Sequence, residues 1–115
     1  MDTASLDFAP YEGDLMGLTT DQNHLVFRWQ GPGKVLFSVS RRGNAASCHF
    51  ASNSAGLRYL RKAIDAFVLF VFWLFDWCTM ALAQVKRSSV GRLIEKVGFM
   101  PVTTIGDITV YARAR

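Results

Sequence analysis

A chain of 115 residues, half of them apolar, has the size of one domain and enough apolar surface for a cooperative core without metal or disulfide staples. Two cysteines, Cys48 and Cys78, exclude a disulfide framework, lack zinc-site spacing and read as buried free thiols of a reducing cytoplasm. The net charge of +4 is unevenly divided: Asp2, Asp7, Glu12, Asp14 and Asp21 precede every basic residue, whereas the chain from His24 onward carries all 13 Lys and Arg against four acids, a body of about +9 behind an acidic lead.

Residues 1–24 mix Pro10, Gly13, Gly17 and several Asp without a sustained period, so they read as an extended or loosely structured lead with one helical turn at most. They lack the basic and apolar regions of a signal peptide, and a cytoplasmic address is expected. The lead can shield the basic body, mimic a polyanion or simply be solvated. Leu25 to Trp29 is rich in β-formers, Gly31-Pro32-Gly33 turns the chain into Lys34 to Ser40, and Arg41-Arg42-Gly43-Asn44 turns it again into Ala45 to Ala51. This pattern predicts a three-stranded antiparallel meander.

Ser52-Asn53-Ser54 are N-cap residue types ahead of a proline-free run from Ala55 to about Phe75. The run begins amphipathic, with Arg58, Arg61, Lys62 and Asp65 on one face and Leu57, Leu60, Ala63 and Ile64 for the core, and then becomes apolar all round. Asp65 and Asp76 bound its apolar half at about half the roughly 20 residues that a bilayer span requires, so a buried core helix is expected and no membrane partner. Cys78 to Val85 suits a buried strand, and a crossover through a helix implies a parallel pair. Ser88-Ser89 are expected to cap a helix from Val90 to Lys96 that Gly98 terminates, and a hairpin around Gly106-Asp107 closes the domain, which spans 25–115. The fold class is α/β (α+β), a mixed sheet in the order β-β-β-α-β-α-β-β.

That order resembles the GNAT N-acetyltransferase superfamily, and Ser88-Ser89-Val90-Gly91-Arg92-Leu93-Ile94-Glu95-Lys96-Val97-Gly98-Phe99 is similar to the family helix that ends in lysine-x-glycine-phenylalanine. The resemblance implies acetyl-CoA as cofactor, with the turn Asn53-Ser54-Ala55-Gly56-Leu57-Arg58 standing where the family's Gln/Arg-x-x-Gly-x-Gly/Ala loop cradles a pyrophosphate on backbone amides. Of that pattern the central Gly56 is kept. Arg58 replaces a tiny residue and can either crowd the pyrophosphate or pair with it as an added cation.

The family's chemistry is attack of an amine on the thioester, aided by a base and often by a tyrosine that protonates the departing thiolate. Ile94 stands in the place of that tyrosine and Arg87 near that of a family asparagine. His49 is the candidate base, since imidazole titrates near neutrality, while Cys48 points to the opposite strand face and cannot act with it. Tyr59 and Tyr111 are alternative proton donors. No metal ligands are expected.

Residues 1–24 are too few for the family's first strand and two helices, which implies an N-terminally shortened wall. Such a wall leaves an open cleft, a macromolecular (protein) acceptor, or completion by a partner chain, a second copy included; the aromatics Phe70, Phe72, Trp73, Phe75 and Trp77 can face one. Nucleic-acid binding is not expected, because basic residues interleaved with aromatics on a strand surface are not evident. Two functional readings stand: an acetyl-CoA-binding N-acetyltransferase acting on an amine, or a catalytically inactive GNAT-like binding module. Trimmed proteins of this type resemble some encoded by tailed bacteriophages, where they block host machinery or enter the virion.

Overall fold

The computed structural model describes residues 7–115. Seven strands form one mixed sheet: β1 (Phe8–Pro10), β2 (Leu25–Trp29), β3 (Val35–Arg42), β4 (Ala45–Ser52), β5 (Met80–Val85), β6 (Met100–Ile105) and β7 (Ile108–Ala114), in the spatial order β1-β2-β3-β4-β5-β7-β6. All neighbours are antiparallel except β4 and β5, which run parallel across the helical crossover, as the connection demands. Among the described residues there are three helices: α1 (Ser54–Leu57), α2 (Leu60–Leu74) and α3 (Ser88–Glu95).

The meander, the parallel strand and the closing hairpin fall where the residue pattern puts them. The N-terminal segment differs. Phe8 to Pro10 pairs with β2, and Phe8 is buried among Phe37, Phe67 and Phe70, with ring centroids at 5.8, 5.4 and 4.9 Å. A stretch with one large apolar residue between turn formers shows no period, so tertiary packing alone makes it a strand. The connection from β1 to β2 contains no helix.

The expected single helix from Ala55 to Phe75 is broken. Tyr59 N–H donates to the Gly56 carbonyl at 2.9 Å, a tight turn that ends α1, and α2 restarts at Leu60. The backbone packs closely beside α1: a Cβ on Gly33, whose φ is +75°, would lie 2.4 Å from the Gly56 nitrogen, and one on Gly56 would lie 2.6 Å from the Ser52 hydroxyl oxygen. Leu57, expected in the core, is exposed. α2 buries Leu60, Ala63, Ile64, Phe67, Val68 and Val71 against the sheet, with Phe67 stacked on Phe37 at 4.3 Å. It is not buried all round, because Leu69 and Trp73 remain about half exposed.

Ser88 and Ser89 do not cap α3. Arg87 precedes it with no side-chain cap, and the Val90 and Gly91 amides donate to the Arg87 carbonyl at 3.1 and 3.2 Å. The far end is as expected: Gly98 has φ +90°, its amide donates to Glu95 O, and Phe99 N–H donates to Ile94 O at 3.0 Å, the paired bonds of a Schellman ending. No helix among the described residues is long and apolar enough to cross a membrane.

Candidate functional site

The parallel pair β4–β5 is short. Its register runs from Ala45↔Met80 to Ser47↔Leu82, and beyond it Cys48–Ser52 and Ala83–Val85 splay apart. The gap is a slot of about 190 Å³ that passes through the sheet. On the helical side it is lined by Ile64, Phe67, Val68, Val90 and Ile94, and on the other face by Thr19, His49 and Gln84. Its apolar walls disfavour water, and of its titratable lining groups His49 stands on the face away from α2 and Cys48 on the helical face. A wider mouth of about 420 Å³ continues from Thr19, His49 and Gln84 to Lys86 and Ile108.

His49 is held by a group that the residue pattern left in the lead. Alternation along β3 and β4 puts Ser38, Ser40, Ser47 and His49 on the sheet face away from α2, and residues 18–21 cross that face. Ser38 Oγ donates to Thr19 O at 2.7 Å. Asp21 Oδ2 accepts from Ser40 Oγ at 3.2 Å, Ser47 Oγ at 3.0 Å and His49 Nε2 at 3.2 Å, while Arg42 Nη2 lies 3.8 Å from Oδ1. Burial alone pushes the Asp21 carboxyl up, but the bonds from His49 and Ser47, the His49 charge and the Ser40 hydroxyl outweigh it and hold the group below the usual carboxylate value. The side chains of His49 and Asp21 are 14% and 22% exposed, and of the two His49 lines the slot.

Nothing local in the sequence marks Asp21, which lies 28 positions before His49. Cys48 faces the other way, as strand alternation requires, and burial raises both its thiol and that of Cys78. Neither alternative tyrosine lines the slot: Tyr59 packs on Trp29 at 6.1 Å, and the Tyr111 hydroxyl reaches Glu95 Oε1 at 3.5 Å. Ile94, in the tyrosine's place, is 2% exposed.

The loop 53–58 is built differently from the expected cradle. Asn53 is the N-cap: its Oδ1 accepts from Gly56 N–H at 2.8 Å and from Lys34 N–H at 3.0 Å. The Asn53 carbonyl takes the Leu57 amide at 3.2 Å. Within this turn the amides of Gly56 and Leu57 are therefore engaged, and those of Ser54 and Ala55 have no backbone partner among the described residues. Gly56 is buried against the 31–33 turn rather than open to a ligand. Arg58 is exposed and lines a shallow basic concavity with Arg61, Lys62 and Lys96, in which Asp65 is held by Arg113 at 2.8 Å. Residues that can meet a phosphate are thus chiefly side-chain cations. No group of three or more potential metal ligands occurs among the described residues.

No family model matches the sequence, and no curated protein matches it. Solved structures do. A chimera of the spermidine N-acetyltransferase SpeG of Vibrio cholerae with hSSAT superposes with a TM-score of 0.66 at 13% identity, over 82% of this chain and 68% of that one. The aminoglycoside acetyltransferase AAC(6')-Ib in complex with coenzyme A gives 0.62 at 18% identity over the same shares, and its complex with ribostamycin and coenzyme A gives 0.61 at 19% identity over 82% and 65%. The chain therefore has the acyl-CoA N-acyltransferase fold of GNAT enzymes. At these identities the likeness establishes the fold.

Proposed function

We propose that the protein binds acetyl-CoA with its acyl arm in the slot between β4 and β5 and passes the acetyl group to an amine. The observation that carries this reading is the splay itself, an apolar channel through the sheet with a held imidazole at one face. Acetyl-CoA, when bound, supplies a thioester carbonyl open to attack by an amine. Ile64, Phe67, Val68 and Ile94 exclude water from the channel, and His49 takes a proton from the incoming amine. Arg58, Arg61, Lys62 and Lys96 offer cations to phosphates, so Arg58 acts as a grip rather than an obstruction.

The acceptor enters by the wider mouth. Its described lining carries Lys86 and no carboxylate, whereas spermidine and aminoglycosides are polycations. This supports a small amine of low positive charge as the acceptor. A free-thiol release assay with acetyl-CoA and a panel of amines tests the reading: turnover with neutral or carboxylate-bearing amines is expected, and turnover confined to polycations would contradict the acceptor charge. The absence of any tyrosine along the slot favours a second reading, a non-catalytic binding module. Saturable acetyl-CoA binding without thiol release from any amine would select it.

A further inference from the structure

We infer that Asp21 is a positioning residue that locks His49 in the tautomer protonated at Nε2, leaving Nδ1 as the basic nitrogen available to the slot. The inference rests on the acetyl-transfer reading for its catalytic consequence, but the lock itself is a property of the folded chain. An ionised carboxylate only accepts hydrogen bonds, so a ring nitrogen 3.2 Å from Asp21 Oδ2 must be the one that carries hydrogen. A neutral imidazole then bears its lone pair on the other nitrogen. The lock is over-determined, because Ser40 and Ser47, register partners on β3 and β4, fix the same carboxylate oxygen at 3.2 and 3.0 Å, and His49 stands two residues beyond Ser47 on the same face of β4. The exposed Arg42 guanidinium lies 3.8 Å from Oδ1.

The charged groups around the ring come from three elements: Asp21 from the β1–β2 connection, Arg42 on β3 beside Asp21, and Lys86 beyond β5 at the same mouth. Cys48, next in sequence, lies on the opposite strand face and takes no part. In the transfer, Nδ1 of His49 accepts one proton from the acceptor ammonium and later returns it to solvent. The C–N bond forms as the C–S bond breaks; the sulfur leaves with that bonding pair and takes the second amine proton, and the third stays on the product amide. His49 ends as it began, and no oxidant or metal enters.

Nitrogen-15 NMR of the imidazole in wild type and in the Asp21→Asn and Asp21→Ala variants reads the lock without any cofactor. The expected wild-type spectrum of the neutral imidazole has a protonated Nε2 and a bare Nδ1. In Asp21→Asn, where the amide both donates and accepts, the two tautomers should mix. On the proposal, kcat falls about 100-fold in Asp21→Asn, at the lower end of a general-base contribution, with KM for acetyl-CoA unchanged. A wild-type His49 protonated at Nδ1, a variant with an unchanged tautomer, or a mixed tautomer with unchanged kcat would each overturn it. Failure of wild type to bind acetyl-CoA would instead defeat the transfer reading, while the spectrum still decides the lock. Asp21→Ala, checked for folding by its thermal transition, should mix the tautomers as well.

Discussion

Asp21 shows how one side chain joins stability to chemistry. Its carboxyl is held below the ordinary carboxylate value, so its ionised form is favoured by folding. A group of this kind stabilises the fold fully above the unfolded value of about 3.9 and loses that contribution as pH falls through the lower folded value. Denaturant unfolding between about pH 6 and pH 2 should therefore show an acid-side decline that Asp21→Asn diminishes, and at neutral pH the variant should be less stable by about 1–3 kcal/mol because three donors lose an ionised acceptor. Equal slopes in the two proteins would contradict the assignment. Gly33 makes a different point at the same scale. With a φ of +75° and backbone 2.4 Å from where its Cβ would be, Gly33→Ala should cost at least about 2 kcal/mol, read as a lowered thermal midpoint.

At the scale of elements, most of the architecture was legible because each piece carries its own signal. Turn residues at 31–33 and 41–44 punctuate the meander, Asn53 caps a helix, and Gly98 ends one. Several features were not legible, and the following arise from tertiary contact. β1 has three residues and no period, Gly33 approaches Gly56 closely beside α1, and Asp21 meets His49 across 28 positions. His49 itself was legible as a titratable residue on a central strand, but not its partner or the slot it faces. Phe8→Ala tests the first of these: a true core strand should lose about 3–5 kcal/mol on urea unfolding, whereas a loosely attached lead would lose under about 0.5 kcal/mol.

For the whole molecule, the decisive feature is a sheet that holds together through β7 and β6 on one side and the meander on the other, while its parallel centre opens after three residue pairs. Apolar side chains of α2 and α3, Ile64, Phe67, Val68, Val90 and Ile94, line the opening. Arg58, Arg61, Lys62 and Lys96 line a separate basic concavity, which the proposed function assigns to the cofactor's phosphates. The measurement that bears most directly on this account is calorimetric titration of acetyl-CoA into the wild-type protein and into Ala83→Phe, which fills the slot from β5. The account predicts saturable one-site binding near micromolar Kd in the wild type, weakened at least about tenfold in a folded Ala83→Phe variant; no binding at millimolar acetyl-CoA, or equal binding by both proteins, would contradict it.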